Sequence, residues 1–327
     1  MEQRVGIAPD ELADLLALDA VKGFGPQKFK ELHEAGVSPA AVLAEPQRLP
    51  LTGKTGDKFR HALGALSEED RWLAYARAVR QLLRAQEHEA RIVTYADRSY
   101  PPNVYASNNP IPVLYVRGNS DLLGQVDAVA GVGSRKTDAP YSERHYEFAT
   151  HAVGRGFLIA SGFADGADSI GHRAARDAGG RTTLVMPSGL DRPFPPENNE
   201  LWGEMLQYGG AVIVSEFPFG TAASALTLRK RNKLIVAFAR GVMLSQTSAK
   251  GGAMNAYRFA MEQRKPVATF ADDGTERTSG NRAIAHGETR QPRLEDAASA
   301  NGPAVFPADR AAPEQWDAWL QRLSSST

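Results

Sequence analysis

Two glycine-centred turns, one helix length apart, constrain this chain more than any other feature. The first is Ala130-Gly131-Val132-Gly133-Ser134-Arg135 and the second is Ser161-Gly162-Phe163-Ala164-Asp165-Gly166-Ala167-Asp168. Each follows an apolar run (126–130 and 157–160), and each leads into a segment with helical spacing. Strand, glycine turn and helix, repeated, is the unit of an open α/β sheet. Small residues at such turns let backbone N–H groups approach an anionic oxygen, and the following helix N-terminus favours negative charge. Arg135 adds a cation whose forked donors suit phosphate. Two such loops at neighbouring strand ends predict a phosphate-binding rim, and so a nucleotide or nucleic-acid ligand.

The 327 residues suffice for about two or three domains. The chain has no cysteine, which excludes disulfides and thiolate zinc sites and gives an oxidising compartment no support. Residues 1–16 carry acids and do not read as a signal peptide. No apolar run approaches the ~18 residues of a membrane span. A cytoplasmic protein without a membrane partner is expected. The formal net charge is zero, which argues against coating nucleic acid through global charge. Binding then needs a local patch, and the densest is Arg229-Lys230-Arg231-Asn232-Lys233, with Arg240 nearby. It reads either as a solvated basic turn before a strand at 234–238 or as a phosphate-binding patch.

Residues 1–90 read as helical. Residues 21–32 resemble a helix-hairpin-helix unit: Gly23 and Gly25 permit a tight turn, and Pro26 suits the first helical position. Lys28 stands beside a hairpin that either holds a phosphate or serves packing alone. Residues 51–58 are a weaker echo. Ser67 caps a long helix with acids in its first turn. Trp72, Leu73, Tyr75, Ala76, Val79, Leu82 and Leu83 recur at helical spacing and are expected to be its buried face. Strands are expected at 91–95 and 113–116, joining the edge of the main sheet, with turns at Tyr100-Pro101-Pro102 and Asn108-Asn109-Pro110.

From residue 126 the βα alternation is regular. Expected strands are 126–130, 157–160, 182–186, 211–214, 234–238, 242–245 and 266–270. Helices are expected at 141–155, 169–178, 199–207 and 253–263. Parallel strands joined by helical crossovers give a doubly wound sheet with its ligand crevice at the carboxyl ends of the strands. After about residue 289 the chain is a polar tail with one short amphipathic helix at 313–323. The expected organisation is a helical domain (1–90), a Rossmann-like domain (91–290) and that tail (291–327).

The segment from Tyr100 to Gly287 carries an ordered set of motifs. Tyr100-Pro101-Pro102 and Pro112-Val113-Leu114-Tyr115 with Gly118 form a lead-in to the two glycine turns, the second of which includes His172. Then come Gly189-Leu190-Asp191 with Phe194-Pro195 and Leu201, Ser215-Glu216-Phe217-Pro218-Phe219-Gly220, Arg231-Asn232-Lys233-Leu234-Ile235, and Ser279-Gly280-Asn281 with Ile284 and Gly287. In this order they resemble the DNA-processing protein A family (DprA, also called Smf). The resemblance implies an extended Rossmann fold with a small helical, helix-hairpin-helix or SAM-like N-terminal domain. It further implies single-stranded DNA binding without catalysis, delivery of the strand to a RecA-type recombinase, homodimers and a role in natural transformation or recombination. No cofactor or metal is implied. The positions it marks for DNA backbone contact are Gly131, Gly133, Arg135, Ser161, Gly162, Arg231 and Lys233; Ser134, Gly166, Arg229, Lys230, Asn232, Lys250, Gly251 and Gly252 join them as candidate DNA- or phosphate-binding residues. Cations and free N–H donors are what phosphate contact requires.

The chain departs from the family pattern in places. Leu228-Arg229 stands where the family has Phe-Pro. Lys250-Gly251-Gly252-Ala253-Met254-Asn255-Ala256 replaces Ser-Gly-Ser-Leu-Ile-Thr-Ala, and Asp272-Asp273 replaces Pro-Gly. A divergent member without the usual C-terminal winged-helix-like domain is expected. Two other classes compete. Phosphoribohydrolase-like enzymes or nucleotide sensors of the wider superfamily share Gly251-Gly252, but Arg258 stands where their acid falls, which removes the obvious general acid/base. A nicotinamide oxidoreductase has only Gly131-x-Gly133 in its favour, and no acid ends the second strand. His172 reads as a helix-packing residue, and Asp165 and Asp168 as helix-start acids. Tyr141, Phe163 and Phe194 are the loop aromatics that could stack on a base or equally be packed.

Overall fold

The computed structural model describes residues 7–108, 110–287 and 302–325. Asn109, in the second expected turn, and residues 288–301, which open the tail, lie outside the described residues. The N-terminal portion is α1 (Pro9–Ala20), α2 (Pro26–Glu34), α3 (Pro39–Ala44), α4 (Gly53–Gly64) and α5 (Glu68–Glu87). The turn between α1 and α2 is the expected hairpin: Gly23 has φ of +89°, and Pro26 opens α2. Its interior is aromatic, with Phe24 meeting Phe29 and Phe59 edge to face. Lys28 is committed to Glu31 at 2.8 Å. In the weaker echo, residues 53–58 are already the first turns of α4.

The α5 start is as expected. The Ser67 side chain accepts from the Asp70 N–H, and the Asp70 carboxylate accepts from the Ser67 N–H, a reciprocal capping box. Its buried face is not the expected one. Ala74, Ala78, Gln81 and Ala85 face inward, whereas Trp72 is 65% and Leu83 62% exposed. The small side chains let α5 lie close against α1. That close approach decides which stripe is buried, and the larger side chains lie on the far face. At its C-terminal half α5 is tied to the sheet domain. Gln81 exchanges hydrogen bonds with the Phe219 backbone, and Arg84 pairs with Asp191 at 2.8 Å.

The rest alternates: β1 (Ala90–Thr94), α6 (Pro102–Ala106), β2 (Val113–Gly118), β3 (Ala128–Val132), α7 (Ala139–Gly154), β4 (Leu158–Ser161), α8 (Ala167–Asp177), β5 (Thr182–Val185), α9 (Asn199–Gln207), β6 (Ala211–Ser215), α10 (Ala225–Phe238), β7 (Gly241–Leu244), α11 (Met254–Glu262), β8 (Val267–Phe270), α12 (Ser279–Ala285), β9 (Ala304–Phe306) and α13 (Pro313–Ser325). The nine strands form one sheet in the order β1-β2-β6-β5-β4-β3-β7-β8-β9. Every neighbouring pair from β6 to β9 is parallel, and β1 and β2 add an antiparallel edge. This is the expected doubly wound, mostly parallel α/β fold. The central strands β3 to β7 are buried throughout, as helices on both faces require.

The stretch 234–238, expected to be a strand, is the last turn and a half of α10. A five-residue apolar run does not distinguish a buried strand from the buried end of a helix. Two features settle it as helix. Ser224 and Thr227 form a capping box at the N-terminus. At the other end the Lys265 ammonium donates to the carbonyls of Val236, Ala237 and Ala239. The basic run is therefore part of a helix, not a turn. The segment read as a polar tail supplies the expected helix as α13 and also β9, which extends the sheet. Trp316, Trp319, Leu320 and Leu323 of α13 are buried with Phe148 and Phe306.

Candidate functional site

The strand order reverses at β3. From there the chain winds through β4, β5 and β6 on one side, and through β7, β8 and β9 on the other. Crossovers leaving β3 and β7 diverge, so a crevice opens at their carboxyl ends, the place where open α/β sheets bind ligands. A groove of about 630 Å³ lies there. Its walls are Val132 to Lys136 after β3, Ala164 and Asp168 after β4, one face of α10, Thr247, Ser248, Gly251 to Ala253 and Asn255 after β7, and Arg277.

The two glycine turns stack directly on each other. Gly166 has φ of +75°, and a Cβ there would fall 2.3 Å from the Ser134 carbonyl oxygen. The Ala167 N–H donates to that same carbonyl at 3.1 Å. The Ser134 N–H is itself bonded to the Gln246 carbonyl at 2.7 Å, so it is not one of the free donors expected of the first turn. Gln246 also holds Asp138 through two side-chain hydrogen bonds, and Asp138 pairs with Arg277 at 2.9 Å. The loop after β7 is pinned by Asn281. Its side chain accepts from the Thr247 N–H at 2.8 Å and donates to the carbonyls of Ser245 and Phe270. The closing sequence motif is thus a brace beneath the groove.

Arg231 is the most constrained cation here. It is 4% exposed, and its guanidinium donates to the Val185 carbonyl at 3.2 Å and lies 3.5 Å from the Asp168 carboxylate. Burial pushes the Asp168 carboxyl up from its ordinary value, with the Arg231 charge opposing, and burial pulls Arg231 down. Gly162 makes room for this pair: a Cβ there would fall 1.3 Å from Arg231 Nη1. Asp168 lies in the first turn of α8, as expected, and is in addition the Arg231 counter-ion and accepts from the Ala164 N–H at 3.2 Å. His172 packs under the same turn. Burial takes its pKa down to about 4, so the neutral ring donates from Nε2 to the Gly162 carbonyl at 2.5 Å, and Nδ1 lies 2.7 Å from the Thr182 hydroxyl.

Of the residues singled out in the sequence, Gly133, Ser134, Arg135, Arg229, Arg231, Asn232, Gly251 and Gly252 line the groove. Gly131 and Ser161 lie beneath it, where the Ser161 hydroxyl donates to the Gly131 carbonyl at 2.5 Å. Gly162 and Gly166 shape it from below. Lys250 is exposed beside Gly251 without lining the groove. Lys230 and Lys233 are on the other side of α10. Lys230 pairs with the buried Glu216 side chain at 2.8 Å, and both lysines border a separate small recess. The sequence reading missed Lys136, Thr247, Ser248, Asn255 and Arg277, all of which line the groove. Lys136 was legible, since it directly follows Arg135; Arg277 arrives from a distant loop without a local signal. Asp168 is the one carboxylate among the groove-lining residues, and it is already paired.

A model of the DNA recombination-mediator protein A family matches residues 91–298. The chain belongs to this family. The family segment contains every wall of the groove. Similar curated proteins are the protein Smf of Synechocystis, 31% identical over 56% of this chain and 46% of that protein, and the DNA processing protein DprA of Bacillus subtilis, 29% identical over 62% and 66%. The chain spans about half the length of the first of these relatives. Among solved structures, DNA processing protein A from Streptococcus pneumoniae superposes with a TM-score of 0.69 at 21% identity, covering 96% of this chain and 98% of that one. The Helicobacter pylori protein, solved for its single-stranded DNA binding mode, gives a TM-score of 0.54 at 24% identity over 62% and 90%. These likenesses establish the extended Rossmann-like fold for this family member. Among the described residues no helix is long and apolar enough to cross a membrane.

Proposed function

We propose that the groove binds the sugar–phosphate backbone of single-stranded DNA, and that the protein acts in DNA processing as a binding protein, not an enzyme. The carrying observation is the charge of the groove. Arg135, Lys136 and Arg229 are exposed along its walls, while its lone carboxylate is neutralised by Arg231. Such a surface attracts phosphate. The names of the relatives, and the single-stranded DNA binding of the Helicobacter pylori protein, support the same reading. Delivery of the strand to a RecA-type recombinase, a homodimeric state and a cytoplasmic setting complete the proposal.

The test is fluorescence anisotropy with labelled single-stranded DNA, duplex and RNA of equal length across a salt series. Tight, salt-sensitive binding that favours single-stranded DNA is expected. Absence of binding at low salt, together with a thermal shift from a mononucleotide, would replace it with a nucleotide-sensor role.

A further inference from the structure

We propose that the exposed face of α5 is a second contact surface for single-stranded DNA, where a base of the strand leaving the groove stacks on Trp72 and Arg80 holds the neighbouring phosphate. Trp72 is 65% exposed, and Leu73, Tyr75 and Leu83 are exposed with it. Trp72, Ala76 and Arg80 stand at i, i+4 and i+8, so they share one ridge of the helix. The small side chain of Ala76 leaves a shallow notch between the indole and the guanidinium. Arg80 is exposed and makes no ion pair among the described residues. An indole offers a flat face to any base, and an exposed guanidinium beside it offers a cation to the phosphate. This pairing holds single strands without sequence preference. Of the loop aromatics read from the sequence, Tyr141 and Phe163 are buried and Phe194 stands beside the groove, so none of them reaches this face.

An exposed apolar stripe on a helix marks a surface for some partner, and two features select the single strand. The first is position. The C-terminal half of α5 is fastened to Asp191 after β5 and to Phe219 after β6. In the sheet, β6 and β5 follow directly on β4, whose loop walls the groove. The face of α5 is therefore reached along the same carboxyl edge. The second is charge. Beyond the groove, Arg229 and Lys230 carry positive charge over the exposed side of α10. Asp19, at the end of α1, feels Lys230 and Arg77 together: burial raises its carboxyl pKa, and those two charges oppose the rise. Arg77 of α5 thus adjoins the cations of α10, and Arg80 lies one turn further along, beside the notch. The acids of the first turn, Glu68, Glu69 and Asp70, close the path at its far end.

This inference rests on the groove binding DNA backbone, and the experiment keeps the two apart. Anisotropy is measured with single strands of about 6 and about 20 nucleotides, the shorter filling the groove alone. The proteins are the unmodified chain, Trp72→Ala, Trp72→Phe and Arg80→Gln, with circular dichroism confirming each fold. Trp72→Ala should weaken the longer strand about tenfold and leave the shorter one unchanged. Trp72→Phe should retain the long-strand affinity, and Arg80→Gln should lose part of it. Iodide quenching reads Trp72 directly, because the other three tryptophans are buried or half-buried. The longer strand should shield the indole and the shorter one should not. An unchanged long-strand affinity in both Trp72→Ala and Arg80→Gln, or an equal loss for both lengths, overturns the α5 surface and leaves the groove standing. Sedimentation velocity without DNA should give the same mass for the unmodified protein and Trp72→Ala. A lighter Trp72→Ala species assigns the face to a second copy of the chain and overturns the proposal. No binding of either length overturns the groove reading and the α5 surface with it.

Discussion

Arg135 and Arg231 bring the same charge to the same groove in different states, and their replacement should separate them. Arg135 is exposed and its guanidinium is available. Arg135→Ala should weaken single-strand binding and lower the salt slope by about 0.7 for each lost phosphate contact, without altering sequence preference. Arg231 is buried against Asp168. Arg231→Ala leaves that carboxylate unpaired in the interior and should cost about 3–5 kcal/mol, read as a lower urea midpoint. The sequence displayed both arginines as candidate cations because it shows which residues cluster, not which of them the fold has already paired. The same limit applies to Lys230 and Lys233. They adjoin Arg231 in sequence, but successive residues on a helix point about 100° apart, which takes them away from the groove. The glycine turns were legible because a missing side chain has one local meaning. At Gly162 that meaning is room for the guanidinium of Arg231.

Among the elements, α5 and α10 show where periodicity misleads. The α5 pattern fixes the helix and its cap, yet the stripe of large apolar residues is exposed and the alanine stripe is buried. Trp72→Ala should accordingly change stability by less than about 0.5 kcal/mol. Ala78→Leu, which forces α5 away from α1, should cost about 1–3 kcal/mol. Both are read by denaturant titration, and the reverse ranking would restore the pattern expected from sequence. For α10 the deciding residues lie at its ends. Ser224 and Thr227 were a capping signal, while the Lys265 contribution comes from beyond β7 and has no local trace. Ser224→Ala should cost about 1 kcal/mol and speed amide exchange in the first turn of α10. The helix α13 was legible from its spacing. That β9 precedes it as a sheet strand was not, because Ala304–Phe306 is too short to carry a periodic signal.

For the whole molecule, the alternation of strands and helices was enough to place the crevice, because the reversal of strand order follows from the topology of a doubly wound sheet. The pH response is also a property of the whole fold. His145 and His172 are buried, and burial lowers both pKa values to about 4. The unfolded chain takes up a proton at each near 6.5, whereas the folded one resists until about 4. Stability should therefore fall as pH drops through that window. Asp168 and Glu216, whose pKa values burial raises, act in the opposite sense, so His145→Met isolates the histidine contribution by flattening the dependence of the urea midpoint on pH. Finally, α10 is held on two sides at once, by Glu216 through Lys230 and by Asp168 through Arg231. A rotation about its axis by one residue would break both pairs and present a different set of charges to each flank. Its azimuth is thereby fixed by the fold itself, with no ligand needed to set it.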